Sequence, residues 1–391
     1  MHSIEEARSA ALALVAPTRE VEVALDEARG RVLAAALHAS ADVPAAPTSM
    51  MDGYAVHARG PALRRVVEES AAGAPSARPL APDEAAPIST GALLPAGADA
   101  VIPVEDSELH GAQVRLPTTV PGRFVRQVGS DLSRGERLLA AGSVLDAVAI
   151  ALVAGQGHAR VRAAERPRVA VFSLGEELRG PGEVLSLGAL YDSNGPALVA
   201  ACADAGAQPE RQPLVPDNLA ALTSALRDVR TDLVVTSGGA SVGVHDHLRA
   251  AIERAGGEVL LWRVAMKPGK PLVLGRIGTT PIVGLPGNPV SALVSFYLFV
   301  RPMILAMLGR LDVDLPRVCL PLGSALPLIG DRRELVRARI VRDAMGVERL
   351  QPESKQASSA LLGLACADAL IDCAPGLVAA VGELLPALRL R

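Results

Sequence analysis

From residue 168 onward, short apolar runs rich in Val, Leu and Ile alternate with Ala-rich or amphipathic segments, and this alternation constrains the fold more than any other feature. The runs 168–173, 232–236, 259–264, 272–275 and 281–285 predict strands, while 196–205, 217–226 and 247–255 predict helices, the second with Asp217 as an acidic N-terminal cap. Strands this apolar must be covered on both faces. The pattern therefore predicts a mostly parallel sheet between helices, with ligands bound beyond the carboxyl ends of its strands.

The flanking sequence has a different character. Ile4, Ala7, Ala11, Leu12 and Val15 recur at helical spacing, so residues 1–45 read as helical, and 145–153 reads as a second Ala-rich helix able to pack on the first. Between them lie prolines, glycines and short β-branched runs such as 100–104 and 113–116, the pattern of a β-rich insertion. After about residue 313 alternating apolar residues and prolines predict a small β domain. The expected fold is a multidomain α/β chain: a helical base from 1–45 and 140–165, a β-rich inserted domain over 46–139, a central α/β domain over 166–312 and a C-terminal β domain over 313–391. A chain of 391 residues is long enough for several such cores. No repeat of 20 to 50 residues suggests a solenoid.

Composition excludes several functions. The net charge is −3, from 39 basic and 42 acidic residues, so no global field draws nucleic acid or anionic lipid. Eight aromatic residues are too few for nucleic-acid stacking platforms. Cys202, Cys319, Cys366 and Cys373 form no CxxC pair and read as buried free thiols. Glu5 and Glu6 stand where a signal peptide needs basic charge, and the apolar stretch 290–308 is interrupted by Arg301 and Pro302. The expectation is a cytoplasmic protein with no nucleic-acid or membrane partner.

Five stretches carry groups suited to anions or metals, one of them in the inserted region, where 49–56 and 88–92 each place a polar group beside a glycine. Thr236 to Gly243 follows a buried strand, and its glycines allow backbone N–H groups to cradle an oxyanion beside Ser237 and Ser241. Asp246 follows where a carboxylate could hold Mg²⁺ beside a phosphate, while His245 and His247 lack a third ligand for a transition metal. Pro286-Gly287-Asn288-Pro289 places Asn288 as N-cap and Pro289 at the first helical position, opening an anion site that Ser291 could strengthen. Lys267 and Lys270 lie on a proline-stiffened turn able to neutralise a pyrophosphate or a dianion such as molybdate. Glu176 and Glu177 end the first strand of the α/β region, within reach of the same crevice. No P-loop is present. Each loop alone could be an ordinary turn; together they favour a phosphorylated ligand with Mg²⁺.

The segments Ser-Met-Met-Asp-Gly-Tyr-Ala-Val (49–56), Ile-Ser-Thr-Gly-Ala (88–92), Gly-Ala-Asp-Ala-Val (97–101), Ser-Asn (193–194), Ser-Gly-Gly-Ala-Ser-Val-Gly (237–243), Met-Lys-Pro-Gly-Lys-Pro (266–271) and Leu-Pro-Gly-Asn-Pro-Val-Ser-Ala (285–292) recur in fixed order across nearly the whole chain. In this set the sequence resembles the molybdopterin molybdenumtransferase family, MoeA and the gephyrin E domain. The resemblance implies that the α/β domain binds molybdopterin, and that adenylylated molybdopterin and molybdate react with Mg²⁺ present, releasing AMP and leaving molybdenum on the dithiolene. It implies a homodimer with the active site between subunits, Asp52 and Thr90 of one subunit facing the α/β domain of the other. Glu177, Asp217 and Asp246 would surround Mg²⁺ and the adenylyl phosphate. Lys267 and Lys270 would bind molybdate or the pyrophosphate, and Pro286, Asn288, Pro289 and Ser291 would shape the helix-start pocket. Ser237, Gly238, Gly239 and Ser241 would cradle the pterin phosphate, with Ser193 and Asn194 also binding the cofactor. A molybdopterin adenylyltransferase would hand over the substrate. The chain departs from the family's pattern at Leu174, Glu176, Val244 and His247. Two other readings stay open: a non-catalytic molybdopterin-binding paralogue or carrier, and the adenylyl transfer itself.

Overall fold

The computed structural model describes residues 1–216, 218–239 and 247–390. The chain divides into two compact units, one of residues 1–35, 141–146 and 160–391, the other of residues 36–140 and 147–159.

The first unit is built on a six-stranded sheet. Its strands are β1 (Arg168–Ser173), β2 (Gln208–Arg211), β3 (Leu233–Ser237), β4 (Glu258–Trp262), β5 (Val273–Ile277) and β6 (Thr280–Leu285), in the spatial order β2-β1-β3-β6-β5-β4. The first four in that order pair in parallel; β1, β3 and β6 are predicted apolar runs, whereas β2, Gln-Pro-Glu-Arg at the sheet edge, carries no apolar run and is not predicted. The β4 and β5 edge is antiparallel, because only Gly278 and Thr279 separate β5 from β6 and so short a loop makes a hairpin. Alternate residues of each strand enter two cores. Val169, Val171, Leu233 and Val235 pack with Phe296, Phe299 and Ile304 on one face, while Ala170, Phe172 and Val234 pack with Leu222, Leu248 and Ile252 on the other. The chain leaves β1 toward β2 on one side and β3 on the other, which makes the β1/β3 boundary the switch point where crevices open.

Helices Asn194–Asp204, Leu219–Asp228 and Leu248–Arg254 lie where the pattern predicts them. The cap of the second is Asn218, whose side chain accepts from the Ala220 and Ala221 amides, and not the expected Asp217. The Pro289–Met307 helix is apolar and long enough to cross a membrane, but 72% of its most apolar window is buried, so it is a core helix here. Arg301 within it donates to the Val313 carbonyl at 3.1 Å.

Of the helix expected over 1–45, only Ile4–Ala13, with a capping box between Ser3 and Glu6, and a single 3-10 turn at Leu25–Glu27 form. Between the two the alternating Glu-Val-Glu-Val makes a strand, Glu20–Ala24, paired antiparallel with Arg160–Ala164. Alternation of period two outweighs helix propensity there. The helix expected at 145–153 forms as Ala147–Gly155, but it belongs to the second unit and Ile4–Ala13 to the first, so the two do not make the single helical base expected. The tail folds as predicted into a β-sheet, from Arg317–Pro321, Arg333–Arg342, Glu348–Pro352, Ala369–Cys373 and Leu384–Arg389. Met266–Lys267 adds a short parallel strand to it, pairing with Arg333 and Glu334.

The second unit holds another six-stranded sheet, in which Gly53–Val56 lies between Glu84–Ile88 and Ala100–Pro103. A Cβ at Gly53 would sit 2.0 Å from the Ile102 carbonyl oxygen, so glycine is needed for the strands to meet. Gly53 pairs with Ile88, which carries Asp52 and Thr90 to the same end of the two strands.

Candidate active site

Three parallel strands end level with one another, Ser173 opposite Ser237 and Ser237 opposite Leu285. Beyond these ends a cleft of about 650 Å³ opens, lined by Gly175, Glu177, Ser193, Asn194, Ser237, Gly238, Gly239, Pro286, Gly287, Asn288 and Pro289. Gly238 turns the chain at φ +89°, and a Cβ there would lie 2.4 Å from the Leu174 carbonyl oxygen, so only glycine fits this turn. Asn194 fastens two strand ends: its Nδ2 donates to Ser237 Oγ and to the Gly287 carbonyl, both at 2.7 Å. The turn that presents Asn194 is held by buried Asp192, which accepts from the Gly195 amide at 2.8 Å and from Arg211 Nη2 at 2.9 Å. Ser193 occupies the N-cap position but makes no side-chain capping bond.

Glu177 lies in the cleft with its carboxylate folded against Gly175, where a Cβ would meet Oε2 at 2.7 Å. Its hard oxygens suit Mg²⁺. Asp217, Ser241 and Asp246, expected beside it, lie outside the described residues, as do Val244 and His245. Among the described residues no group of three His, Cys, Asp or Glu side chains gathers to hold a metal ion. Leu174, one of the departures, is 5% exposed and packs into the core with Phe172 and Leu248. His247 occupies the N-cap position of the Leu248–Arg254 helix without a side-chain capping bond.

A second cleft of about 530 Å³ adjoins the first, and Pro271 and Asn288 line both. Lys267, Lys270 and Ser291 meet there. Lys267 Nζ pairs with Glu334 Oε1 at 3.1 Å, because the strand pairing with the tail sets these residues side by side. Lys270 makes no ion pair among the described residues, which leaves it the less neutralised of the two. The C-terminal sheet also brings Arg332, Gln356 and Ser358 into this cleft, residues that sequence reasoning missed. Their one signal, the adjacent Arg332 and Arg333 leading into a strand, is too common to mark a site.

Asn288 stands at the N-cap with Pro289 in the first turn, as expected, yet its side chain does not cap. It donates instead to Ser358 Oγ at 3.0 Å, and the Val290 amide donates to the Ser358 carbonyl at 3.2 Å. The helix start is thus shared with the tail. Proline has no N–H to cap, and the segment ending at Ser358 closes over the next one.

In the other unit, Asp52 Oδ1 accepts from the Thr90 amide at 2.6 Å and from Thr90 Oγ1 at 2.9 Å. Both residues are exposed. The Thr90 amide, and then its hydroxyl, hold the Asp52 carboxyl below its ordinary range, so it is an anion near neutrality.

Parallel strands that end on a glycine-turn cleft, with a lysine-lined cleft beside it, define the class: an α/β protein with an open cleft beyond the carboxyl ends of its parallel strands. Three family models cover most of the sequence: the MoeA N-terminal region, domains I and II, over residues 2–157; a probable molybdopterin binding domain over 170–306; and the MoeA C-terminal region, domain IV, over 320–390. Molybdopterin molybdenumtransferase 2 of Mycobacterium tuberculosis is 36% identical over 95% of both chains. The Haemophilus influenzae molybdopterin molybdenumtransferase is 36% identical over 79% of this chain and 78% of its own. Among solved structures, a molybdopterin biosynthesis MoeA protein from Pyrococcus horikosii superposes with a TM-score of 0.87 at 30% identity, covering 100% of this chain and 99% of that one. The chain belongs to the molybdopterin molybdenumtransferase family and is an enzyme of molybdenum cofactor biosynthesis.

Proposed function

We propose that the chain transfers molybdenum from molybdate to adenylylated molybdopterin and releases AMP in a Mg²⁺-dependent reaction. The observation that carries this reading is the pair of clefts sharing Pro271 and Asn288, one lined by glycine turns and Asn194, the other by two lysines and Arg332. A phosphorylated pterin suits the first, and a small dianion suits the second. Bringing two anions together costs Coulomb repulsion, which Lys267, Lys270 and Arg332 offset at the molybdate end. The Ser237-Gly238-Gly239 turn and Asn194 bind and orient the phosphate end, with Ser193 and Ser241 as further donors. Glu177, with Asp217 and Asp246, would hold Mg²⁺, and the cation would supply charge neutralisation of the diphosphate.

The enzyme acts as a homodimer in the cytoplasm, Asp52 and Thr90 of one subunit completing the cleft of its partner. It receives the adenylylated pterin from a molybdopterin adenylyltransferase. The experiment is AMP release from adenylylated molybdopterin with Mg²⁺, with and without molybdate, in wild type and Asp246→Ala. Molybdate-dependent release that disappears in the variant supports the reading. Tight pterin binding with no release in either protein refutes it in favour of a carrier.

A further inference from the structure

We propose that Tyr191 recognises a planar heteroaromatic ring of the substrate by stacking on it at the edge of the larger cleft, an inference that rests on the transferase reading above. All eight aromatic residues are among those described, and Tyr191 is the only exposed one, at 47%. Phe172, Phe296 and Phe299 are buried in cores. Tyr191 is also the only aromatic lining the cleft, where Leu178 and Leu190 join it. Leu178 and Tyr191 come from a short parallel pair, Leu178–Arg179 against Leu190–Tyr191, and line the cleft together with Leu174 and the prolines Pro271, Pro286 and Pro289.

The ring is held in place. Tyr191 Oη donates to the Glu183 carbonyl at 2.9 Å, and the backbone on either side is fixed by Leu190 N to Glu177 O and Asp192 N to Arg179 O, both at 2.8 Å. An aromatic face that is exposed yet pre-positioned loses little entropy on stacking. Three residues further on, Asn194 reaches the Ser237 hydroxyl at the glycine turn. Three residues of chain reach at most about 10 Å, so one ligand can touch both the ring and the glycine turn. The substrate has two such rings, pterin and adenine, and both offer the same flat π face.

The test is equilibrium binding of AMP and of molybdopterin, measured separately, with steady-state AMP release, for wild type and for Tyr191→Phe, Tyr191→Leu and Tyr191→Ser. Tyr191→Phe is expected to stay within about threefold of wild type in affinity. Tyr191→Ser and Tyr191→Leu are each expected to weaken one ligand about tenfold, raising KM by a similar factor with kcat changed less than about twofold. Loss confined to AMP assigns Tyr191 to adenine, and loss confined to molybdopterin assigns it to the pterin. Affinities for both ligands unchanged in Tyr191→Ser, or Tyr191→Leu binding as wild type, would overturn stacking. Wild type that binds neither ligand and releases no AMP would overturn the transferase reading and this inference with it.

Discussion

Asp52 and Gly238 show how single residues bear on function in two different ways. The carboxylate of Asp52 is held by both donors of Thr90, and its depressed pKa means that these bonds persist above the ordinary carboxylate range. They are lost as pH falls through the lower folded value. The Thr90 amide is therefore expected to stay protected in hydrogen exchange at pH 5 and to lose protection only below about pH 4, near the ordinary Asp pKa. Asp52→Ala should reduce AMP release at least about tenfold, as loss of a positioned charge does, while the protein still folds and the lost Thr90 bonds lower the melting temperature only slightly; turnover at the wild-type rate would remove Asp52 from the site. At Gly238 the limit is steric. Gly238→Ala adds a Cβ 2.4 Å from a backbone oxygen at φ +89°, and should destabilise by about 1–3 kcal/mol in urea titration and abolish pterin binding. Both motifs were legible in the sequence, because a carboxylate and a hydroxyl beside glycines point to a built turn. Tyr191, Arg332 and Ser358 were not, since nothing local separates a residue that lines a cleft from one on an ordinary surface.

Five of the six strands of the α/β sheet are legible in the sequence with small boundary shifts, because burial on both faces leaves a plain apolar run, while the polar edge strand Gln208–Arg211 leaves none. The antiparallel β4 and β5 edge was not separable, since an apolar strand reads alike whichever way its neighbour runs. In the N-terminal stretch the helical spacing holds only to Ala13, and the Glu-Val alternation beyond it pairs with a strand far along the chain. Two substitutions measure the elements. Asn218→Ala removes the bonds to the Ala220 and Ala221 amides, and about 1 kcal/mol of helix stability should go with it, read as faster exchange across Leu219–Asp228. Phe299→Ala empties a fully buried position in the Pro289–Met307 helix, and the expected loss of about 3–5 kcal/mol would appear as a lower melting temperature.

Within the first unit, long-range ion pairs join segments remote in sequence. Arg333 pairs with Asp372, which is 8% exposed, and also with Glu5 of the N-terminal helix. Arg333→Met leaves the Asp372 carboxylate without its partner, so the loss should approach the roughly 3–5 kcal/mol of a broken buried pair, whereas Glu5→Gln, on an exposed partner, should cost under about 1 kcal/mol. Equal losses in calorimetry would contradict that ranking. The sequence by itself determined the parallel α/β region, the glycine turn at Gly238, the helix start at Pro289 and the family, because each depends on residue types at short spacing. Tertiary structure alone decided that Ser358 shares the Pro289 helix start, that Glu334 takes up part of the Lys267 charge and that Tyr191 faces the cleft. Those contacts join residues up to 70 positions apart, and such proximity is set by how the sheets and loops pack, which no local pattern encodes.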